Sequence, residues 1–166
     1  MNAFWSYAWP AFTAGMIAGI VAGMIGFRRG RRRYPFLAAG AALAIAFAAL
    51  LHGPLGDADR YSAEVERDIH GALVYYEMTA VSAHLHQDPL SRRIMLSGAN
   101  LDDFQRSELA RLLGQIPGVS SATWSNSGGV PLIVEGAGIA LLGFLFGLLL
   151  AYLGELHRRH NAQWNW

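Results

Sequence analysis

Histidines are the residues of this chain best suited to metal chemistry, because it contains no cysteine. His84 and His86 lie two apart in a predicted strand and therefore point to the same side. Two ligands make an incomplete zinc site, so a third would have to come from His70 or Asp88. Histidines on the surface of a strand are the favoured interpretation, and we predict no bound metal.

A second candidate ligand, His52, lies near the end of an apolar stretch. A lone histidine can serve as the axial ligand of a haem, but a position at a membrane interface is the favoured interpretation, and no cofactor is predicted. The sequence contains no nucleophile elbow, phosphate-binding loop or catalytic carboxylate pair. Asp102 and Asp103 fit the acidic start of a helix. We therefore predict that the protein is not an enzyme.

Small residues recur at every fourth position in the apolar stretches. Residues at this spacing share one helix face, and small side chains let two helix backbones approach closely. We predict that the rows pack helices, either within the chain or against a partner; a general abundance of glycine and alanine is the alternative. The rows are Gly15, Gly19 and Gly23, with Ala14, Ala18 and Ala22; Gly143, Gly147 and Ala151; and Ala38, Ala42 and Ala46.

Arginines cluster at two places beside the apolar stretches. One cluster comprises Arg28, Arg29, Arg31, Arg32 and Arg33, without an acidic residue among them, and the other comprises Arg158 and Arg159. Next to membrane spans, such clusters indicate orientation and contact with anionic lipid headgroups. Nucleic acid is not a predicted partner.

Three long apolar stretches predict transmembrane helices, at about residues 3–27, 35–55 and 132–154. Hydrophobic residues make up 53% of the chain and charged residues only 15%. Each stretch reaches the roughly 20 residues that cross a bilayer core. Trp5, Tyr7 and Trp9 are typical of the aromatic belt at a membrane interface.

The arginine clusters predict the orientation. Three spans place both clusters on one side, which the positive-inside rule assigns to the cytoplasm. Residues 1–56 would then hold two spans and an arginine-rich cytoplasmic loop, and residues 131–166 the third span and a cytoplasmic tail. We expect a multi-pass protein of the bacterial inner membrane, with the N-terminus and residues 57–130 in the periplasm.

Residues 57–130 have the pattern of a small soluble α+β domain. Apolar residues at helical spacing predict a helix over 62–76, and alternation predicts strands over 81–86 and 92–97. A second helix is expected from Asn100, as its N-cap, to about residue 115, followed by a strand over 119–124 and a flexible linker over 125–129. The apolar stripe expected on that helix comprises Leu101, Phe104, Leu112 and Ile116.

This helix–strand–strand–helix–strand order resembles the BON domain, a bacterial module of periplasmic and membrane-associated proteins. The resemblance rests on the strand end Ile94-Met95-Leu96-Ser97-Gly98 and on Ile116-Pro117-Gly118-Val119 before the last strand. It covers about residues 63–124. A turn glycine usual before the second strand is replaced by Asp88-Pro89. The resemblance implies an αββαβ fold and binding to membranes, lipids or partner proteins, with no shared catalytic residues.

The sequence thus predicts a membrane protein with three transmembrane helices and a small BON-like αββαβ domain outside the membrane. Ion-coupled transporters usually need charged groups within the membrane, whereas here Thr13 is almost the only polar residue at depth. We expect a non-catalytic accessory or scaffold subunit whose partners are other integral membrane subunits and lipids. A homo-oligomeric channel or an envelope-stress membrane protein is the alternative.

Overall fold

The structure, a computed structural model, describes residues 2–28, 33–99, 101–125 and 128–163. It is mostly helical, with a small three-stranded sheet, and three of its helices are long and apolar enough to cross a membrane. The elements are α1 Ala3–Arg28, α2 Arg33–His52, α3 Asp57–Tyr75, β1 Val81–Gln87, β2 Leu90–Gly98, α4 Asp103–Leu113, β3 Ser121–Thr123 and α5 Leu132–Gln163.

Helices α2 and α5 differ from their predicted bounds. Helix α2 starts at Arg33 and ends at His52, so Pro35 lies in its first turn, where a missing N–H is harmless. Helix α5 continues to Gln163, nine residues beyond the predicted end at Gly154. The extension is polar, and it puts Glu155, Arg158 and Arg159 on one helix at spacings of three and four residues.

The chain forms two compact units. The first consists of Met1–Tyr7 with Gly56–Glu135, and the second of Ala8–Leu55 with Gly136–Trp166. We call them the α+β unit and the helix unit. The α+β unit therefore includes the first turns of α1 and α5 as well as the predicted soluble segment.

The sheet of the α+β unit has the order β1-β2-β3. Strands β1 and β2 are antiparallel, from the pair Val81 and Gly98 to the pair Gln87 and Leu90. Strand β3 lies parallel to β2, with Arg93 opposite Ser121, and α4 makes the connection between them. The predicted order of helix, strand, strand, helix and strand is the observed one.

The core of the α+β unit follows the predicted alternation in the strands. Ala83 and Leu85 are buried on β1, and Ile94 and Leu96 on β2. Helix α3 covers this face with four buried side chains at helical spacing, namely Ala58, Tyr61, Val65 and Ile69.

The apolar stripe predicted for α4 was right at Leu101 and Ile116, which pack in the core of the α+β unit, but wrong in between. Leu109 and Leu113 are the buried residues of this helix, whereas Leu112 is only partly buried and Phe104 is 77% exposed. The predicted N-cap, Asn100, lies outside the described residues. The N-cap is Asp102, whose carboxylate accepts from the Gln105 amide at 2.6 Å in a capping box.

The exposed edge of the sheet at β1 is partly covered by a carboxylate from α3. The backbone N–H of Leu85 donates to Glu66 Oε1 at 2.7 Å. The second oxygen of Glu66 lies 3.3 Å from His84 Nδ1. A charged side chain that takes an edge amide in this way blocks the pairing of another strand at that point.

The first turns of α1 and α5 contribute to the core of the α+β unit. Ala3, Tyr7 and Leu132 are at most 2% exposed and belong to the same buried cluster as Val65 and Ile94. The assignment of Tyr7 to an aromatic belt is therefore wrong, because its ring is buried and its hydroxyl donates to the Leu132 carbonyl at 3.4 Å. Trp5 and Trp9, at 49% and 51% exposure, remain on the surface.

Candidate functional site

The glycine row of α1 lies against the backbone of α5. A Cβ atom added at Gly15 would overlap the Ala140 carbonyl oxygen, and one at Gly19 would overlap that of Phe144. One at Gly23 would lie 2.6 Å from the Ala151 Cβ. Any larger side chain at these positions would force the two helices apart.

The glycine row of α5 lies in the same way against the backbone of α1. A Cβ at Gly143 would overlap the Phe12 carbonyl oxygen, and one at Gly147 would overlap that of Met16. The residue numbers of the contacting positions increase together along the two helices, so α1 and α5 run parallel. The Gly147 position also lies against the backbone nitrogen of Ile20. The glycine rows of both helices thus meet within the chain.

Helix α2 contacts α1 and α5 through a different small-residue row from the predicted one. Gly40, Ala44 and Ala48 are its buried residues. Ala44 packs with Ala18, Ala22 and Phe144, and Ala48 with Ala11 and Ala140. Since Ala48 meets the earlier part of α1 and Ala44 the later part, α2 runs antiparallel to α1.

The predicted row of α2, Ala38, Ala42 and Ala46, faces away from the other helices. All three residues are exposed, as are Ala39 and Ala49, which lie on the same side of the helix. We call these five residues the alanine face. Large apolar side chains are also exposed beside these alanines on α2, such as Ile45, 44% exposed, and on the two other helices, such as Ile17, 59% exposed, and Leu142, 63% exposed.

The described arginines of both predicted clusters lie at one end of the helix unit. Arg29, Arg31 and Arg32 lie outside the described residues. Glu155, which was not among the predicted residues, accepts from Arg158 Nη2 at 2.8 Å and from Arg159 Nε at 2.9 Å. Glu155 lies three and four residues before these arginines, a spacing typical of ion pairs on a helix, so its role could have been predicted from the sequence.

Arg33 and Arg28 are not neutralised in this way. Within the described ranges, neither has a carboxylate within ion-pair distance. The Arg33 guanidinium donates to the Tyr34 hydroxyl at 3.2 Å and lies 5.1 Å from the centroid of the Tyr34 ring. A cavity of about 600 Å³ opens between Arg33 and Arg159, with Phe27 and Tyr152 in its lining.

In the α+β unit, Arg92 joins the first turns of α1 and α5 to the loop before β3. Its Nε donates to the Gly118 carbonyl at 2.8 Å, and its Nη1 donates to Glu135 at 3.1 Å. The guanidinium also lies 3.8 Å from the ring centroid of Phe4. Arg92 thus fixes three separate parts of the unit by charge-assisted and cation–π contacts.

Gly118 supplies the acceptor at the centre of this arrangement. Its φ of 104° is one that side chains rarely adopt. Its carbonyl also accepts from the Tyr61 hydroxyl at 3.1 Å. Burial raises the pKa of Tyr61 to about 12, so this hydroxyl keeps its proton and remains a donor at neutral pH.

The predicted linker has contacts with β2 at its described end. The Gly128 carbonyl accepts from Arg93 Nη1 at 3.4 Å, and a Cβ at Gly129 would lie 3.3 Å from the Ser91 Oγ. Ser91 is fully buried, and its Oγ has no hydrogen-bond partner among the described residues. Asn126 and Ser127 lie outside those residues.

The histidines occupy separate local environments. His86 Nδ1 lies 2.9 Å from the Pro89 carbonyl oxygen, while His84 contacts Glu66. His157 Nε2 lies 3.0 Å from Asn161 Nδ2, and His52 is the last residue of α2. Among the residues whose positions are described, no three His, Asp or Glu side chains are grouped so as to hold a metal ion.

The chain matches no protein-family model, no curated protein and no solved structure. The resemblance to the BON domain therefore stays a prediction.

Proposed function

We propose that this protein is a non-catalytic accessory subunit of a larger complex in the bacterial inner membrane, where its helices pack against other integral membrane subunits. The alanine face of α2 carries this proposal. Attraction between helices in lipid depends on close packing, which small side chains permit. A face of five exposed alanines is thus suited to contact another helix.

The outward faces of α1 and α5 show whether exposed alanines are a general feature of the helices of this chain. If the alanines reflected composition alone, the outward faces of α1 and α5 would also be rich in small residues. Their exposed apolar residues are mostly large, such as Ile17 and Leu142, whereas α2 exposes five alanines together with large residues such as Leu43 and Ile45. The glycine rows do not serve this purpose, because they are occupied by the contact between α1 and α5.

The α+β unit supplies further exposed apolar side chains suited to a partner, on the periplasmic side in the proposed orientation. Val74 and Tyr75 at the end of α3 are 64% and 80% exposed, and Phe104 on α4 is 77% exposed. Large exposed apolar side chains are enriched at interfaces. Binding a protein outside the membrane also agrees with the proposed BON-like character of this unit.

The proposed orientation places Arg28, Arg33, Arg158 and Arg159 in the cytoplasm, next to anionic lipid headgroups. The parallel course of α1 and α5 supports it, because the ends of both helices that carry arginine then lie on one side. Lipids are proposed partners there, and nucleic acid is not.

A homo-oligomeric channel or envelope-stress protein is the second candidate. The exposed alanine face also favours this candidate, because the alanine faces of two copies could pack together. The partner of the alanine face therefore separates the two functions: unrelated subunits support the accessory role, and copies of this chain support the alternative.

The double substitution Ala42→Leu with Ala46→Leu tests the accessory role. Both side chains are exposed, so the chain should keep its own fold and its abundance in the membrane, while close packing with a partner helix is lost. We expect the tagged variant to purify without the subunits that accompany the wild type. Gly138→Leu is the matched control, because Gly138 lies on α5 with open space around its Cβ position. Retention of the same subunits by the double variant would exclude the alanine face as their binding site.

A further inference from the structure

We propose that the arginine-bearing end of the helix unit binds one anionic phospholipid per chain, with the phosphate between Arg33 and Arg159. This goes beyond a general attraction of arginines to a charged leaflet, because it assigns a cavity, a stoichiometry and donors. It rests on the membrane location and orientation proposed above, but not on membership of a complex.

The lining of the cavity combines polar and apolar side chains. Arg33, Tyr34 and Arg159 provide donors, while Phe27 and Leu156 provide apolar lining, within a volume of about 600 Å³. Phe27 and Tyr152 pack edge to face, with ring centroids 5.9 Å apart. A phosphodiester with an attached acyl chain matches both kinds of lining residue, whereas a free phosphate would leave the apolar side chains without a contact.

The charges in the cavity also favour an anion. Glu155 is the acidic residue of its lining, and its carboxylate is already bound by Arg158 and Arg159. Arg159 uses Nε for this contact, and no hydrogen bond of its terminal nitrogens is found within the described part of the chain. Arg33 lacks a carboxylate partner there as well. Two guanidinium groups can therefore donate to phosphate oxygens, the geometry that arginine serves best.

Tyr34 and Arg33 are already in contact without a ligand. The guanidinium donates to the phenol oxygen, so the hydroxyl proton remains free to donate to a second acceptor. One phosphate could thus accept from the side chains of two consecutive residues at the start of α2.

Native mass spectrometry of the full purified chain in a non-ionic detergent tests the site. Phosphatidylglycerol and phosphatidylcholine with the same acyl chains are titrated separately. We expect one phosphatidylglycerol per chain, bound at least about tenfold more tightly than phosphatidylcholine. Equal affinity for the two lipids would overturn the proposal.

Two variants and one control locate the binding. Arg33→Gln should weaken phosphatidylglycerol binding by about tenfold, the effect of losing a charge-assisted hydrogen bond of about 1.4 kcal/mol. Tyr34→Phe keeps the ring and should weaken binding by a smaller factor, which keeps the site testable if Arg33→Gln disturbs the start of α2. Arg67→Gln, an exposed arginine on α3, should bind as the wild type does. Unchanged affinity in both Arg33→Gln and Tyr34→Phe would exclude this cavity.

Inorganic phosphate at millimolar concentration distinguishes a lipid from a free anion. We expect it to leave the bound phosphatidylglycerol in place, because it cannot replace the apolar contacts. Displacement by inorganic phosphate would overturn the lipid assignment. The purified chain is used without partner subunits, so the absence of lipid binding would not contradict the proposed accessory role. Equally, the absence of partner subunits in the cell would not contradict the lipid site.

Discussion

Ser91 and Arg92 are adjacent at the start of β2. The polar groups of Arg92 have partners, whereas the hydroxyl of Ser91 has none among the described residues. Arg92 is surrounded by a carboxylate, a carbonyl and an aromatic ring, so its charge is balanced. The Ser91 hydroxyl is fully buried, with no partner in the described part of the chain. A buried hydroxyl without a hydrogen bond costs about 1–3 kcal/mol relative to one exposed to water.

Ser91→Ala should therefore stabilise the α+β unit by about 1 kcal/mol, because it removes the unpaired oxygen and leaves the packing almost unchanged. The measurement is the free energy of unfolding of the full chain in detergent, from denaturant titration. Ser97→Ala is the control: its exposed hydroxyl bonds to Ser82 at 2.6 Å, and its loss should bring no gain. A destabilised Ser91→Ala protein would show that the hydroxyl has a partner after all.

The role of Ser91 could not be predicted from the sequence, and neither could that of Arg92. The strand alternation correctly placed Ile94 and Leu96 in the core, because burial on a sheet follows a period of two. The partners of Arg92, in contrast, are separated from it by 26 residues at Gly118 and by 43 at Glu135. No local pattern reports contacts at such distances along the chain.

Among the elements, α4 shows how a prediction of helix phase fails. Three leucines, Leu109, Leu112 and Leu113, are apolar neighbours that fit more than one stripe. How the helix packs against the core of the α+β unit decides between them, and Leu109 and Leu113 are the two that lie in that core. The helix was thus predictable from its sequence, but its buried face depended on contacts with residues far away in the chain.

The buried face of α4 makes a testable distinction between adjacent leucines. Leu113→Ala should destabilise the α+β unit by about 2–5 kcal/mol, as for other fully buried leucines, and Leu96→Ala should cost a similar amount. Leu112→Ala should cost clearly less, because Leu112 is only partly buried. Hydrogen exchange of the α3 and β2 amides in the full chain measures the change. The full chain is required because Ala3, Tyr7 and Leu132 belong to the core. Equal costs at Leu112 and Leu113 would contradict the observed phase.

The glycine rows predict a separate effect on the contact between α1 and α5. Gly19→Ile should insert into the membrane normally, since isoleucine favours the bilayer, but it should separate the two helices because its Cβ overlaps the Phe144 carbonyl oxygen. A short bis-maleimide should then link cysteines introduced at Phe12 and Phe146, whose ring centroids lie 6.1 Å apart, less efficiently than in the same pair without Gly19→Ile.

Ile17→Leu serves as the control for this substitution, because Ile17 is 59% exposed. Ile20 would be an unsuitable control, because its backbone nitrogen lies against Gly147. Undiminished cross-linking in the Gly19→Ile protein would show that the glycine row does not hold α1 against α5.

For the whole molecule, the absence of native cysteine allows the orientation to be measured with single introduced thiols. Ser107 lies on the exposed side of α4, and Asn161 lies near the end of α5. Each would be replaced singly by cysteine. A membrane-impermeant maleimide should label Ser107→Cys in intact spheroplasts and Asn161→Cys only after permeabilisation. The reverse labelling pattern would overturn the proposed orientation and with it the cytoplasmic place of the arginines.

The accessory role is tested most directly by the composition of the assembly in native membranes. The chain would be tagged at its normal level of expression, extracted gently, and weighed intact by native mass spectrometry. The account predicts a particle in which this chain occurs in a fixed ratio with different integral membrane proteins. A particle that contains this chain alone, as a monomer or as a ring of copies, would contradict it.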